Sequence, residues 1–183
     1  RKYNKNYDNL SELEKLNFLK SKLISNKNLI KNFHFKNKEN NEVWSTFKLL
    51  SKEPSECLGA YVISMTSAAS DILSVYFLQK EAKISNQLRV VPLFETLDDL
   101  INSKSIMEIL FSKKWYRNLI KNNQEVMIGY SDSSKDAGKI CASWNQYKAQ
   151  EEIVKLSKKY KITTTFFHGR GGSAGRGGGP IQA

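Results

Sequence analysis

Cysteine is scarce in this sequence. Only Cys57 and Cys141 occur, far apart and outside any CxxC pair. Two cysteines at such a spacing indicate neither a disulfide framework nor a zinc site. This composition is typical of a reducing compartment, so we expect a cytoplasmic protein.

Long apolar runs are also absent from the sequence. The longest fall far below the roughly 18 to 20 residues that a membrane-spanning helix needs, and no charged-then-apolar leader opens the chain. We therefore expect no membrane partner. The sequence begins at Arg1 rather than Met and stops directly after a glycine-rich stretch, from which we expect a fragment of a larger protein.

Acidic residues are few relative to basic ones. The 18 Asp and Glu residues stand against 29 Lys and Arg, which gives a formal net charge of +11. Such an excess indicates either an anionic partner or a basic solvated surface. No basic run of five or more residues occurs, and lysines alternate with asparagines through residues 1–42. We interpret most of the charge as solvated surface, and a nucleic-acid interface remains the alternative.

The sequence does have enough apolar residues for a core. With 183 residues, of which 40% are hydrophobic, it can form one globular domain. An amphipathic helix is indicated by "SELEKLNFLKSKLI", where Ser11 and Glu14 form a capping-box pattern before leucines at helical spacing.

Four short apolar runs follow, at residues 58–65, 88–96, 125–132 and 161–169. Helical patterns separate them, and their centres recur about every 30 to 40 residues, the length of a βαβ unit. Their continuous hydrophobicity indicates strands buried on both faces of a parallel sheet. The sequence thus predicts an α/β fold with four parallel strands and connecting helices. Trp144 and Tyr147, in the last helical stretch, are expected to pack against the sheet.

Reactive side chains lie at or just past the carboxyl end of each predicted strand: Ser64 and Met65, then Glu95, then Asp132 and Lys135, then His168 and Arg170. Ligands bind at this edge in open α/β sheets and in (β/α)8 barrels. Four βα units amount to half of such a barrel, which usually needs about 250 residues. We expect either a small doubly wound domain or part of a larger barrel enzyme, and the ends of the sequence favour the barrel.

Glu95 and Asp132 end successive strands, so their carboxylates could bind one magnesium-type ion. In the alternative, Glu95 and Asp99 cap the helix that begins near Leu97, and Asp132 starts a turn. Residue spacing alone leaves both interpretations open. Lys135 is close enough to Asp132 in sequence to contact a bound phosphate or carboxylate, although a surface charge is the simpler interpretation.

Seven of the ten glycines lie between Gly169 and Gly179, in "FFHGRGGSAGRGGGP". Glycine amides can form an anion-binding concavity, and Arg170 and Arg176 add bidentate donors for phosphate or carboxylate. No GK[ST] follows, which excludes a nucleotide P-loop. RNA-binding tails repeat RGG many times, whereas only two RGG triplets occur here. We therefore favour an ordered phosphate-binding loop over such a tail.

Three stretches together resemble the phosphoenolpyruvate carboxylase family, in the same order and at matching separations. They are "VVPLFETLDDL" (90–100), "VMIGYSDSSKDAG" (126–138) and "FFHGRGGSAGRGGGP" (166–180). "AYVISM" and "WYRNLI" look like the intervening segments of the same family. The resemblance is clear from about residue 43 to the end and weak over the first 42 residues.

The resemblance implies about half of a (β/α)8 barrel at residues 43–183, ending in the Gly/Arg-rich loop, with residues 1–42 as a Lys/Asn-rich helical lead-in. The whole enzyme would be larger and mostly helical. Members of this family are cytoplasmic homotetramers that join bicarbonate to phosphoenolpyruvate, with Mg²⁺ or Mn²⁺, and release oxaloacetate and phosphate; no nucleic acid is involved. The family's other catalytic histidine lies in a TAHPT motif that this sequence lacks. We therefore expect no activity from this chain alone. An inactive remnant of the family is the alternative that the intact motifs disfavour.

The resemblance also assigns roles to individual residues. The metal ligands are Glu95 and Asp132, the catalytic residues are Lys135, His168, Arg170 and Arg176, and the substrate-binding residues are Met127, Arg170 and Arg176. Met127 lies where the family has an apolar pocket for carbon dioxide, and Arg176 lies on the family's mobile glycine-rich loop.

Overall fold

The computed structural model describes residues 7–25, 37–130 and 138–169. Within these ranges the chain forms six α-helices and four strands. In chain order they are α1 (Glu12–Ile24), α2 (Lys38–Leu50), β1 (Ala60–Ile63), α3 (Ala69–Glu81), β2 (Arg89–Phe94), α4 (Leu97–Phe111), α5 (Lys114–Leu119), β3 (Asn123–Gly129), α6 (Lys139–Tyr160) and β4 (Thr163–Gly169). None of the helices in the described ranges is long and apolar enough to cross a membrane.

The strands form one parallel sheet in the order β1-β2-β3-β4. This confirms the predicted α/β class, with four parallel strands and connecting helices. A doubly wound sheet reverses its strand order at a switch point, whereas a barrel keeps its strands in sequential order. The four described strands show no reversal, which favours the barrel. Closure into a barrel stays a prediction.

The chain divides into two compact units. The helical unit comprises residues 1–61 and 70–90, and the sheet unit comprises residues 62–69 and 91–183. The predicted boundary between a lead-in and a catalytic part, at residue 42, stays a prediction.

In the helical unit, α1 begins as the sequence predicts. The Ser11 amide donates to Glu14 Oε2 at 2.9 Å, and Ser11 Oγ accepts from the Glu14 amide at 3.4 Å. Both ends of α1 are bonded to α3. Glu12 accepts from the amide and hydroxyl of Ser70, at 2.8 and 2.7 Å, and Lys80 Nζ donates to the carbonyls of Lys22, Leu23 and Ser25. These contacts satisfy polar groups that a helix leaves unpaired at its ends.

In the sheet unit, one face of β3 forms the core. Val126 and Ile128 are fully buried, while Glu125 and Met127, which alternate with them along the strand, are half-buried. Alternate residues of a strand lie on opposite faces, so β3 is covered mainly on one side. On β4, Phe167 is 58% exposed. The expectation that every strand is buried on both faces is therefore wrong for β4, because among the described residues nothing covers its second face.

The outer surface of α6 also differs from the sequence prediction. Trp144 and Tyr147 are 58% and 56% exposed, and their rings stack on each other with centroids 5.9 Å apart. They do not pack against the sheet, so that prediction is wrong. The buried residues of α6 include Ala142, Ala149 and Ile153.

Candidate active site

Three of the seven predicted site residues lie in the described part of the chain: Glu95, Met127 and His168. The other four, Asp132, Lys135, Arg170 and Arg176, lie outside it. Glu95 directly follows β2, whereas Met127 and His168 lie near the carboxyl ends of β3 and β4. All three are therefore at the edge where parallel sheets bind ligands.

Strand register brings these carboxyl ends level with one another. Leu93 pairs with Met127, and Phe94 pairs with Ile128. On the other side of β3, Met127 pairs with Phe167 and Ile128 with His168. The next position along β2 is Glu95, which thereby lies beside Gly129.

Gly129 allows the backbone to come close to Glu95. A β-carbon at Gly129 would lie 2.6 Å from Glu95 Cβ and 2.8 Å from Glu95 Cα. No larger residue fits at this position without moving β2 or β3. Gly129, in the "IGYSD" stretch, is therefore needed for the close packing of Glu95 against β3.

The Glu95 carboxylate is held by the segment after β1. Its Oε1 accepts a hydrogen bond from the Met65 amide at 2.9 Å. Met65 has a φ of 49°, in the left-handed region that non-glycine residues seldom adopt. Oε2 has no hydrogen-bond partner among the described residues. The hydrogen bond from Met65 thus orients the carboxylate.

The competing role of helix cap belongs to Asp99. The Thr96 amide donates to Asp99 Oδ2 at 3.1 Å, and the Asp99 amide donates to Thr96 Oγ1 at 3.1 Å. This reciprocal pair is a capping box at the start of α4. The alternative interpretation as a helix cap therefore holds for Asp99 and not for Glu95, whose side chain bonds to Met65 instead.

A divalent cation is compatible with this arrangement. Mg²⁺ prefers carboxylate oxygens, usually takes one or two from the protein, and keeps several waters. Glu95 Oε2 fits as one of these ligands. Within the described ranges no group of three or more His, Cys, Asp or Glu side chains that could hold a metal ion occurs, and Asp132 lies outside those ranges.

An apolar surface lies on the same face of the sheet as Glu95. Met127 and its register partner Leu93 are both half-buried. A β-carbon at Gly169 would lie 2.5 Å from Met127 Cε, so the absence of a side chain there makes room for Met127. Sequence reasoning missed Leu93, although its position two residues before Glu95 places it on the Glu95 face of β2.

His168 lies on the opposite face from Met127, because it pairs with Ile128. Its Nδ1 is 2.8 Å from the Tyr130 hydroxyl. The structure therefore brings Glu95 and Met127 together on one face and places His168 with Tyr130 at the same edge on the other. Sequence reasoning missed Tyr130, for which the available signal was its place directly after a strand.

Comparison with known proteins identifies the chain's relatives. The family model described as phosphoenolpyruvate carboxylase matches residues 2–183. Phosphoenolpyruvate carboxylase 3 of Arabidopsis thaliana is 56% identical over 147 residues, which cover 80% of this chain and 15% of the relative. Phosphoenolpyruvate carboxylase of Shewanella sediminis is 50% identical over 176 residues, which cover 96% of this chain and 20% of the relative.

The chain thus spans a fifth or less of the length of these two relatives. Its match to the family model includes the lead-in as well as the three motifs. The resemblance seen in the sequence is confirmed, and this chain belongs to the phosphoenolpyruvate carboxylase family.

Proposed function

We propose that this chain supplies the central part of the active site of a phosphoenolpyruvate carboxylase. The enzyme would join bicarbonate to phosphoenolpyruvate and release oxaloacetate and inorganic phosphate. The observation that supports the proposal most directly is the hydrogen bonding of the Glu95 carboxylate. Its Oε1 accepts from the Met65 amide, while Oε2 has no hydrogen-bond partner in the described ranges. A carboxylate oriented in this way, at the ligand-binding edge of a parallel sheet, is suited to bind a cation.

Glu95 and Asp132 would hold the cation, Mg²⁺ or Mn²⁺. When bound, it would supply Lewis-acid stabilisation of the negative charge that develops on substrate oxygen. Asp132 follows β3 by three residues and Glu95 follows β2 by one, and β2 and β3 are neighbours in the sheet. This placement supports the pairing of the two carboxylates.

The reaction proceeds in two stages by the family resemblance. A bicarbonate oxygen attacks phosphorus and the bond to the enol oxygen breaks, which yields carboxyphosphate and the enolate of pyruvate. Carboxyphosphate then divides into carbon dioxide and phosphate, and the enolate carbon attacks carbon dioxide to give oxaloacetate. Lys135, Arg170 and Arg176 would neutralise phosphate and carboxylate charge throughout, as fixed cations do in sites that exclude water.

Leu93 and Met127 would receive carbon dioxide. Carbon dioxide is small and uncharged, so an apolar surface beside the reacting enolate favours it over water. Their half-buried side chains on the Glu95 face support this role. The glycine-rich segment that carries Arg176 would close over the site, because both intermediates react readily with water.

The remaining properties follow from the family resemblance. We propose a cytoplasmic homotetramer in which residues 1–42 lead into the catalytic part, and in which the Arg170 and Arg176 cations bind substrate rather than nucleic acid. The other catalytic histidine would come from outside this chain, so the chain alone would not form oxaloacetate.

The experiment that tests this function is a chimaera. In the chimaera, this chain replaces the matching 176-residue segment of the Shewanella sediminis relative. The relative supplies the remaining four fifths of the chimaera. Oxaloacetate is measured by reduction to malate with a coupled dehydrogenase. We expect activity in the chimaera and a loss of at least about a hundredfold in Glu95→Gln, because a metal ligand contributes several kcal/mol to charge stabilisation.

Asp98→Asn is the matched control, since Asp98 is an exposed carboxylate in the first turn of α4, three residues after Glu95. It should keep the activity of the unsubstituted chimaera. Oxaloacetate formation by Glu95→Gln at the rate of the control would reject the role proposed for Glu95.

A further inference from the structure

Tyr130 lies directly beside His168. Its hydroxyl oxygen is 2.8 Å from His168 Nδ1, and the ring centroids are 5.9 Å apart with an interplanar angle of 57°. Tyr130 is half-buried and His168 is exposed. In the part of the chain that the structure describes, this is the one hydrogen bond that the His168 imidazole makes.

Backbone register creates this contact. His168 pairs with Ile128 on the neighbouring strand, and Tyr130 follows Ile128 by two residues, which places it on the same face. The end of β3 is fixed by Gln146, whose Nε2 donates to the Gly129 carbonyl at 3.0 Å from a buried position on α6. The tyrosine is therefore held in place by the sheet and by α6.

The chemistry of the two groups favours one direction for the hydrogen bond. A neutral imidazole carries its proton on one nitrogen and accepts at the other. The unprotonated nitrogen is a stronger acceptor than a phenolic oxygen, whose lone pairs are delocalised into the ring. The favoured arrangement has the Tyr130 hydroxyl donating to Nδ1, which leaves the imidazole proton on Nε2.

We propose that Tyr130 is a positioning residue that fixes the orientation and the Nε2-protonated tautomer of His168. Nε2 lies on the opposite edge of the ring from Nδ1, so its N–H points away from Tyr130. In its uncharged form His168 then presents the Nε2 proton as a hydrogen-bond donor to an oxyanion, the phosphate or carboxylate group of phosphoenolpyruvate. This inference rests on the proposed function for the identity of the oxyanion, but not for the tautomer.

The position of the pair in the chain agrees with this role. His168 precedes Arg170 by two residues, and Tyr130 precedes Asp132 by two. The hydrogen bond thus connects the carboxyl ends of β3 and β4. The segments that follow these two strands contain Asp132 and Arg170, two of the proposed ligand-binding residues.

The tautomer is tested by nitrogen NMR of the 183-residue chain labelled with ¹⁵N in histidine. The chain has two histidines, so His34→Gln identifies the signals of His168. At neutral pH we expect one protonated and one unprotonated ring nitrogen for His168, with Nδ1 unprotonated. In Tyr130→Phe, which removes only the hydroxyl, the tautomers should exchange and the two shifts should move toward each other.

Tyr147→Phe is the control, because Tyr147 is an exposed tyrosine on α6 whose ring stacks on Trp144. Its His168 signals should match those of the unsubstituted chain. Protonated Nδ1 in the unsubstituted chain, or identical tautomer populations with and without the Tyr130 hydroxyl, would overturn the inference.

The consequence for substrate binding is tested in the Shewanella sediminis chimaera. Loss of an orienting hydrogen bond should raise KM for phosphoenolpyruvate by about threefold to tenfold in Tyr130→Phe, and leave KM for bicarbonate and the apparent affinity for Mn²⁺ unchanged. An unchanged KM for phosphoenolpyruvate would contradict the positioning role. A tautomer difference in the NMR spectra with no oxaloacetate from the unsubstituted chimaera would reject the proposed function alone.

Discussion

Two acidic residues four positions apart have different roles in this chain. Asp99 closes the capping box of α4, whereas the side chain of Glu95 bonds to the Met65 amide and keeps Oε2 without a partner in the described ranges. Sequence spacing allowed either residue to be the cap. The distinction depends on Met65, thirty residues earlier in the chain, and contacts at that separation are not encoded in local pattern.

The close approach of Gly129 to Glu95 gives a prediction at the residue scale. Gly129→Ala would place a β-carbon 2.6 Å from Glu95 Cβ, so β2 and β3 must separate. Overpacking of this kind costs about 1–3 kcal/mol. We expect a loss of that size in the local free energy of unfolding of β2 and β3, measured by amide hydrogen exchange.

Gly59→Ala is the matched control. A β-carbon at Gly59 would have no heavy atom within 4 Å, and such substitutions usually change stability by less than about 0.5 kcal/mol. Equal protection of β3 in the two variants would show that Gly129 is not needed for the approach of Glu95.

At the scale of single elements, the capping box of α4 is open to test. Asp99→Ala removes the acceptor of the Thr96 amide and should destabilise α4 by about 0.5–2 kcal/mol. Hydrogen exchange of the first α4 amides would report the loss. Asp98→Ala, in the same turn, keeps the box intact and should leave their exchange unchanged; equal exchange in both variants would contradict the assignment.

Two ion pairs connect α4 with α6. Lys159 Nζ is 2.8 Å from Glu108 Oε1, and Lys104 Nζ is 2.6 Å from Glu152 Oε2. The hydrogen bond from Lys104, followed by that from Lys155, lowers the pKa of Glu152 to about 2 from its ordinary value of 4.5. A carboxyl group with a lowered pKa stabilises the fold above its unfolded pKa and loses that contribution as the pH falls.

The corresponding prediction concerns Lys104→Met. It should raise the pKa of Glu152 toward its ordinary value, although Lys155 Nζ still lies 2.9 Å from Glu152 Oε1. In the unsubstituted chain, the stabilisation of the fold by the charged Glu152 carboxylate should be lost between about pH 4.5 and pH 2. The effect on the free energy of unfolding should be small because exposed ion pairs contribute little. A carboxyl-carbon NMR titration of Glu152 measures the shift.

Lys148→Met serves as the comparison, since Lys148 pairs with Glu151 and not with Glu152. This substitution should leave the pKa of Glu152 unchanged. A Glu152 pKa that is the same in all three proteins would show that Lys104 does not hold this carboxylate.

Most elements were predictable from the sequence because their signals are local. The Ser11 capping box, the apolar period of α1 and the four apolar runs each indicated an element that the structure contains. Trp144 and Tyr147 were assigned to the core because large aromatic residues are usually buried. Their exposure follows from the packing of α6 through Ala142, Ala149 and Ile153, a choice of helix face that the sequence did not reveal.

For the whole molecule, strand order and motif placement carry the functional interpretation. The sequential order of the sheet favours the barrel that the family resemblance implies. The position of Glu95, Met127 and His168 at one edge of the sheet was predictable because their motifs follow successive strands, which share one edge in a parallel sheet. The faces on which they lie were not predictable, because the faces depend on register: Met127 pairs with Leu93 on the Glu95 face, and His168 pairs with Ile128 on the other.

The most direct test is a Mn²⁺ titration of the Shewanella sediminis chimaera, followed by water-proton relaxation, which detects the bound ion without any reaction. Glu95→Gln and Asp132→Asn should each weaken Mn²⁺ binding by at least about tenfold, since even partners of metal ligands contribute that much, and Asp98→Asn should bind as the unsubstituted protein does. Undiminished Mn²⁺ affinity in Glu95→Gln and Asp132→Asn would contradict a cation held between the ends of β2 and β3.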